Sequence, residues 1–331
     1  MFNIWAERIF PDAYLPWLGE TVKLVGCGGH TPEDPFFKLT DAHAIVASAQ
    51  YRYDGSVMDR SPNLCVISRT GIGYDLIEVE AATERGIVVC NAPDGPTIST
   101  AELTITLMMS VAKNIKPVEN LFHQAKTKDY FSIYNGIELN GLNLGLVGLG
   151  RIGSHVAQIA QALGMKVFGY DPYLSSDQFR AKHIEPHDSL ESLLKTSDVI
   201  SLHVPHSEQT HHMINTESLS WMNQGTILIN AARGGLVDEQ ALLNALDAGH
   251  LHGVGLDVLS KEPIDLDEHH PFLNREDVVV TPHIAAATRA GKDRLWEMAI
   301  KQILQVLHDE KPDNVVNPEV WDKRRMPATM S

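Results

Sequence analysis

Short apolar runs alternate with stretches of helical period along nearly the whole chain, the pattern expected of parallel α/β architecture. The first group of predicted strands is Val22–Val25, Ala44–Ala47, Leu64–Ile67 and Ile87–Cys90. The second is Leu144–Val147, Lys166–Tyr170, Val199–His203, Thr226–Asn230, Gly253–Asp257 and Val278–Thr281. Between the groups lies an apolar stretch of helical length, Thr97 to Lys113, with Ile98, Leu103, Ile105, Leu107, Met108 and Val111. Ser99, Thr100 and Glu102 at its start form a cap region, and the helix is expected to cross between domains. A second helical pattern, about Ala290 to Leu307, follows the last strand and is placed to carry the chain back to the first group. Met1 to Pro11 contains Glu7 and no long apolar run, so neither a secretory signal nor a membrane span is expected.

One strand of the second group leads into a more specific pattern. Asn143 to Val147 runs into glycines at 148, 150 and 153, and an amphipathic helix continues through His155, Val156, Ile159 and Ala160 to Leu163. Gly164 is placed to end it, Lys166–Tyr170 is the next strand, and Asp171 stands at that strand's carboxyl end. This is a dinucleotide fingerprint in the strand–turn–helix–strand context it requires. Gly148 allows a tight turn, Gly150 lets the backbone approach a pyrophosphate, and Gly153 lets the helix pack closely on the sheet. The helix start, with Arg151 and Ile152 among the expected cofactor contacts, offers N–H groups and a positive dipole end to phosphates. Asp171 can accept from the adenine ribose hydroxyls and would repel a 2′-phosphate, so the expected cofactor is NAD and not NADP.

Composition narrows the class without naming the chemistry. A chain of 331 residues suggests two domains, and 44% hydrophobic with 21% charged residues is ordinary for a globular protein. The net charge of −15 argues against nucleic acid or an anionic membrane as the main partner, but not against an anionic substrate in a locally favourable pocket. Cys27, Cys65 and Cys90 have no metal or redox spacing, and the last two read as buried thiols. The cytoplasm is the default compartment. Sixteen histidines include the adjacent pairs His211-His212 and His269-His270, yet no spacing resembles a zinc motif and no metal is expected. The basic cluster Lys323-Arg324-Arg325 reads as a solvated end.

Three loops at the carboxyl ends of second-group strands each carry one conspicuous polar residue: Ile229–Asp238 with Arg233, Gly255–Pro263 with Glu262, and Val280–Ala285 with His283. Ligands of open α/β sheets bind outside those strand ends. An arginine fork can bind a carboxylate or polarise a carbonyl, a histidine can exchange a proton near neutral pH, and a carboxylate beside it can orient it and favour its charged form. Taken singly, Glu262 before a proline is equally an ordinary turn residue, and Arg233 equally caps a strand end.

Together these segments resemble the D-isomer-specific 2-hydroxyacid dehydrogenase family from about Cys65 to Thr288. The motifs that carry the likeness are Arg69-Thr70-Gly71-Ile72-Gly73-Tyr74-Asp75, Glu80–Ile87, Asn91-Ala92-Pro93, Ser99-Thr100-Ala101-Glu102, the glycine fingerprint and the three loops. The resemblance implies two doubly wound parallel-sheet domains. A Rossmann NAD-binding domain (104–289) would be inserted into a flavodoxin-like substrate-binding domain (1–103 and 290–331), with the reaction in the cleft between them. It makes Arg233 the carboxylate and carbonyl binder, His283 the acid/base and Glu262 its partner, with the backbone of Gly71, Ile72 and Gly73 as a second carboxylate contact. Thr100, Asp257 and the backbone of Ala231 match positions near the nicotinamide, and Val204, Pro205 and Thr210 match the loop on the adenine side. A homodimer built on the Thr97–Lys113 helix and the nucleotide domain is also implied.

Phosphoglycerate dehydrogenases are the nearest family members through Arg69–Asp75 and Asn91, with two departures. The arginine such proteins carry after the second strand is missing or displaced to Arg52, in Ala47-Ser48-Ala49-Gln50-Tyr51-Arg52, and their Asp-Asn pair is Asp75-Leu76. No regulatory domain is expected after Val320. Candidate substrates are 3-phosphoglycerate with phosphohydroxypyruvate, or glyoxylate and hydroxypyruvate; Tyr51, Tyr53 and Tyr74 bear equally on specificity or on packing. The alternative function is that of the C-terminal-binding-protein corepressors, which have the same fold and an intact Arg–Glu–His set and use NAD to control assembly.

Overall fold

The structure, a computed structural model, describes residues 1–28, 34–48, 50–126, 128, 131, 134–261 and 270–326. The chain divides into two compact units, Met1–Pro96 with Thr288–Ser331, and Thr97–Ala287. The division falls at 96/97 and 287/288, where 103/104 and 289/290 were expected from sequence.

The first unit is built on five parallel strands, β1 (Phe2–Ala6), β2 (Val22–Cys27), β3 (Ala44–Ala47), β4 (Val66–Arg69) and β5 (Val88–Cys90), in the order β2-β1-β3-β4-β5. That is the flavodoxin-like order. Its switch point lies at β1, a strand that the apolar runs of the sequence do not predict. Ile4, Trp5 and Ala6 are fully buried because β1 pairs on both sides. Strand β4 extends past the apolar run to Ser68 and Arg69, since its ladder with β3 sets Ala44 opposite Val66 and Ala47 opposite Arg69. Glu7, only 1% exposed, follows β1 and accepts from Ser48 Oγ (2.7 Å), Tyr53 OH (2.9 Å) and the amides of Ser48, Gln50 and Tyr51. Tyr53 is therefore a core residue, while Tyr51 packs edge-on to Phe36 and Tyr74 is exposed.

Helix α10 (Arg289–Leu307) returns to this unit and packs Ile300, Ile303, Val306 and Leu307 on the faces of β1, β3, β4 and β5. The basic tail is not a solvated end. Arg324 stacks over Trp321 at 3.8 Å and pairs with Asp309, and Arg325 Nη1 donates to the carbonyl of Pro62 at 2.7 Å. The carbonyls at the end of the 61–64 turn supply acceptors that charge counting cannot reveal.

The second unit carries seven parallel strands: β6 (Asn143–Val147), β7 (Lys166–Tyr170), β8 (Glu185–Pro186), β9 (Val199–Leu202), β10 (Thr226–Asn230), β11 (Leu251–Leu256) and β12 (Val278–Val280). Their order, β12-β11-β10-β9-β6-β7-β8, is the doubly wound dinucleotide-binding order extended by one strand. The unpredicted β8 is a two-residue edge strand with a proline, too short and too polar to register as an apolar run. Helix α3 (Thr97–Ala112) belongs wholly to this unit and packs Leu107 close against Gly255. Ser99 and Thr100, expected as caps, are instead buried in its first turns. Cys65 and Cys90 are buried thiols, pushed up to about 11 and about 12 by burial. No helix of the described residues is long and apolar enough to cross a membrane.

Candidate active site

The switch point of the seven-stranded sheet lies between β6 and β9, and the glycine fingerprint leaves β6 there. Gly148 has φ +91°, and a Cβ on it would lie 2.8 Å from the carbonyl oxygen of His203. Glycine is thus required twice, for the turn and for the approach of the two strand ends. A Cβ on Gly153 would stand 2.2 Å from Gly148 O, so helix α5 (Arg151–Ala162) touches the turn it grows from. At Gly150 a Cβ would meet nothing within 4 Å, which leaves open space in front of the backbone.

Helix α5 also lacks a side-chain cap. In the same unit α6 (Ser176–Ala181), α7 (Leu190–Thr196), α8 (Thr216–Trp221) and α9 (Glu239–Asp247) are capped by Ser175, Ser189, Asn215 and Asp238. No side chain occupies this helix start, the end where the dipole favours an anion. Asp171 closes the arrangement. Its Oδ2 accepts from Leu149 N–H at 2.9 Å and its Oδ1 from Tyr173 N–H at 3.0 Å, which fixes the carboxylate beside the glycine turn. Open space at Gly150, uncapped amides and a fixed carboxylate fit a dinucleotide. Ile152 packs on the core below, and Arg151 is exposed at the helix start. Gly153→Ala should therefore weaken NADH binding and lower stability by about 1–3 kcal/mol through overpacking against backbone; equilibrium fluorescence titration and thermal melting check both.

The three polar loops leave the adjacent strands β10, β11 and β12, and they interlock. Asp257 N–H donates to Asn230 O at 2.9 Å, and a Cβ on Gly234 would lie 1.9 Å from Leu259 O, so the Arg233 turn is pressed against the loop after β11. Arg233 is half-buried, its carbonyl accepts from Asn230 Nδ2 at 2.9 Å, and its Nη1 donates to Ala232 O at 2.7 Å. Asp257 is fully buried and holds the third loop. Its Oδ1 accepts from Thr281 Oγ1 (2.5 Å) and Ile284 N–H (2.9 Å), its Oδ2 from Ala285 N–H (2.9 Å), and its carbonyl from His283 N–H (2.7 Å). Burial pushes the Asp257 carboxyl up, partly offset by these donors and by the charge of His283. His283 itself is exposed with φ +52°, a left-handed conformation that a side-chain-bearing residue holds only where its surroundings impose it.

The structure thus joins the loops of Arg233, Asp257 and His283. Glu262 lies outside the described residues, as does His269. Several assigned contacts are also engaged or buried within the protein. Both Asp257 oxygens are committed to the His283 loop, Thr100 is only 5% exposed, and the Thr210 hydroxyl closes its own turn through Pro205 O (2.7 Å) and Ser207 N–H (2.8 Å). Val204 lies against Gly148, Pro205 is exposed, and Ala231 is nearly buried after β10. His203, half-buried at the switch point and hydrogen-bonded to Ser201 Oγ, is pushed down to about 4 by desolvation.

In the first unit, the Gly71–Gly73 turn has two carbonyls occupied from within. Ala92 N–H donates to Gly71 O (2.9 Å) and Asn91 Nδ2 to Ile72 O (2.8 Å), which explains the Asn91-Ala92 motif. Arg52, the displaced cation, is engaged by Glu78 at 2.8 Å on the surface.

A switch point furnished with an open glycine turn and an uncapped helix defines a dinucleotide-binding α/β protein, and the loops beside it carry an arginine and a histidine. Residues 105–285 match the family described as D-isomer specific 2-hydroxyacid dehydrogenase, NAD binding domain. The chain belongs to that family. It is 39% identical over 289 residues to a D-3-phosphoglycerate dehydrogenase of Methanocaldococcus jannaschii, covering 87% of this chain and 54% of that protein. It is 35% identical over 328 residues to a glyoxylate reductase of Thermofilum pendens, covering 97% of this chain and 96% of the other. Among solved structures, D-lactate dehydrogenase from Aquifex aeolicus, complexed with NAD and lactic acid, matches with a TM-score of 0.85 at 32% identity, covering 95% of this chain and 98% of that one. The chain spans about half the length of the phosphoglycerate dehydrogenases it matches and nearly all of the glyoxylate reductase.

Sequence reasoning missed the part Asp257 plays in holding the His283 loop, and it missed His206 and His211. The histidines carry a visible signal, an i, i+5 pair in Val204-Pro205-His206-Ser207-Glu208-Gln209-Thr210-His211-His212, alongside the adjacent pair His211-His212.

Proposed function

We propose that the protein is an NAD-dependent oxidoreductase that interconverts a D-2-hydroxy acid and its 2-oxo acid. The observation that carries this reading is His283, held outward in a strained conformation by buried Asp257 on a loop interlocked with the Arg233 turn. NAD, when bound, supplies or takes up the hydride at C2 of the acid. Arg233 binds the acid's carboxylate and polarises its carbonyl with a planar two-pronged fork. His283 Nε2 or Nδ1 gives a proton to the carbonyl oxygen in reduction and takes it back in oxidation. Glu262 is assigned as the carboxylate that steadies the imidazolium, and Gly71, Ile72 and Gly73 as a substrate contact, both on their sequence match alone. The cofactor contacts are Gly148, Gly150, Arg151, Ile152, Gly153 and Asp171. Thr100, Val204, Pro205, Thr210, Ala231 and Asp257 act beside them by shaping the surrounding loops.

The matched relatives are named dehydrogenases and reductases, which supports an enzyme over an NAD-sensing corepressor. Candidate substrates are phosphohydroxypyruvate with 3-phosphoglycerate, and glyoxylate with hydroxypyruvate. A panel of these oxo acids with NADH, followed at the nicotinamide absorbance, tests the reading. Turnover of at least one supports it, and negligible turnover of all of them overturns it.

Replacing Asp171 with serine should weaken NADH binding roughly tenfold, the effect of losing charge-assisted hydrogen bonds, and improve NADPH binding. Asp171→Asn, which keeps an acceptor for Leu149 N–H, separates the loss of charge from any loosening of the turn. An unchanged NADH-to-NADPH affinity ratio in both variants sinks the ribose assignment. A homodimer in the cytoplasm completes the proposal. Helix α4 (Ile115–His123) has no buried residue and exposes Ile115 and Phe122, and the three cysteines are free thiols. Light scattering should give about twice the chain mass of 36.6 kDa; a monomer mass excludes the dimer.

A further inference from the structure

The turn that leaves β9 does more than approach the fingerprint. His206 Nε2 and His211 Nδ1 share a hydrogen bond of 3.0 Å, and the His211 ring stacks on His212 with centroids 3.9 Å apart. The turn is joined to the Arg233 turn twice. His212 N–H donates to Gly235 O at 2.9 Å, and a Cβ on Gly235 would lie 2.7 Å from His206 Nε2 and 3.0 Å from both adjoining ring carbons. The edge of His206 therefore rests on the backbone two residues from Arg233, and the partner that keeps it there is His211. Among the described residues no three His, Cys, Asp or Glu side chains come together to hold a metal, and the two rings are joined by the hydrogen bond.

We propose that His206 and His211 are positioning residues for Arg233, and that their brace holds only while at least one of the two rings is neutral. The proposal rests on the assignment of Arg233 to the acid's carboxylate. An Nε2···Nδ1 bond needs one N–H and one lone pair. When both rings are imidazolium, every ring nitrogen carries a proton, no acceptor is left, and two like charges face each other. The exposed His206–His211 pair is open to protons from solvent. The other ionisable groups on the two turns and the helix start beside them are His203, Glu208, His212, Arg233, Asp238 and Glu239. His203 is half-buried and hydrogen-bonded to Ser201, Asp238 caps α9 through the amides of Gln240 and Ala241, and Glu239 accepts from Ser260 N–H. Arg233 adds positive charge and favours release once the pair is doubly protonated.

The test uses the full chain and a double variant, His206→Gln with His211→Asn. Glutamine sets a donor near the place of Nε2 and asparagine an acceptor near that of Nδ1, so the bond is rebuilt without titration. KM for the best 2-oxo acid and Kd for NADH are measured from about pH 8 to about pH 5, where histidine changes charge. The ratio of wild-type to variant KM cancels every pH effect that both proteins share. It should be near one at the alkaline end and rise roughly fivefold at the acid end, the worth of one hydrogen bond, with the ratio of Kd values flat. A KM ratio that stays flat, or a change confined to Kd for NADH, overturns the proposal. A second readout needs no turnover: the Gly235 amide resonance should shift over this pH range in the wild type and stay still in the variant, and identical behaviour in both overturns the brace. If neither protein reduces any 2-oxo acid, the functional reading fails while the resonance still decides the brace.

Discussion

Replacing His283 with alanine is expected to lower kcat for 2-oxo-acid reduction by about 10²–10⁴-fold, the range of a general acid, and to leave NADH affinity unchanged. The expectation follows from how the residue is held. His283 has φ +52°, and its neighbours on both sides are tied to one buried carboxylate. A left-handed histidine costs backbone energy that the Asp257 network must offset, and such strain persists where the surroundings over-determine it. The loop thereby fixes its reactive side chain on rigid sheet-edge support, as acid–base chemistry needs. Stopped-flow absorbance of the nicotinamide reads kcat, and fluorescence titration reads NADH binding. Survival of near wild-type turnover shows that the proton comes from another group.

The second large effect is on stability and catalysis together. Asp257→Ala should destabilise the Thr97–Ala287 unit by about 3 kcal/mol, because the Thr281 hydroxyl and the Ile284 and Ala285 amides lose their acceptor. Its melting temperature should fall by roughly 10 °C. At a temperature where the variant stays folded, kcat should still drop at least tenfold, since freeing the loop lets His283 leave its productive geometry by far less than its own length. Asp257→Asn keeps the shape and one acceptor oxygen, so its melting temperature should lie between those of wild type and Asp257→Ala. If Asp257→Ala melts like wild type, the carboxylate is not what holds the loop; if it melts low but turns over normally when folded, the loop does not set the position of His283.

Strands buried on both faces announce themselves as continuous apolar runs, which is why β3, β6, β9 and β10 could be placed from sequence to within a residue or two. Strand β1 escaped because Asn3 interrupts its short apolar stretch at the start of the chain, and β8 because an edge strand of two residues buries little. Register was legible only once neighbours were known. Ser68 and Arg69 belong to β4 through their pairing with Val46 and Ala47, a nonlocal hydrogen-bond demand without an apolar signature. The reading of the basic tail as a solvated end failed for the same reason, since the groups that hold Arg324 and Arg325 are Asp309, Trp321 and backbone carbonyls of a distant turn.

The sequence by itself determined the family, the cofactor class and the two sheets, because glycine spacing, strand–helix alternation and the acid after β7 are local constraints readable within some thirty residues. Tertiary structure alone decided what several named residues do. Asp257, a matched cofactor position, is also the anchor of the His283 loop. Thr210 turned inward to close its own turn, and His206 came to rest on Gly235, twenty-nine positions away. Such roles depend on which polar groups are brought together and which are buried. A hydrogen bond between strand-end loops is set by the packing of the whole sheet, and no local pattern along the chain encodes it.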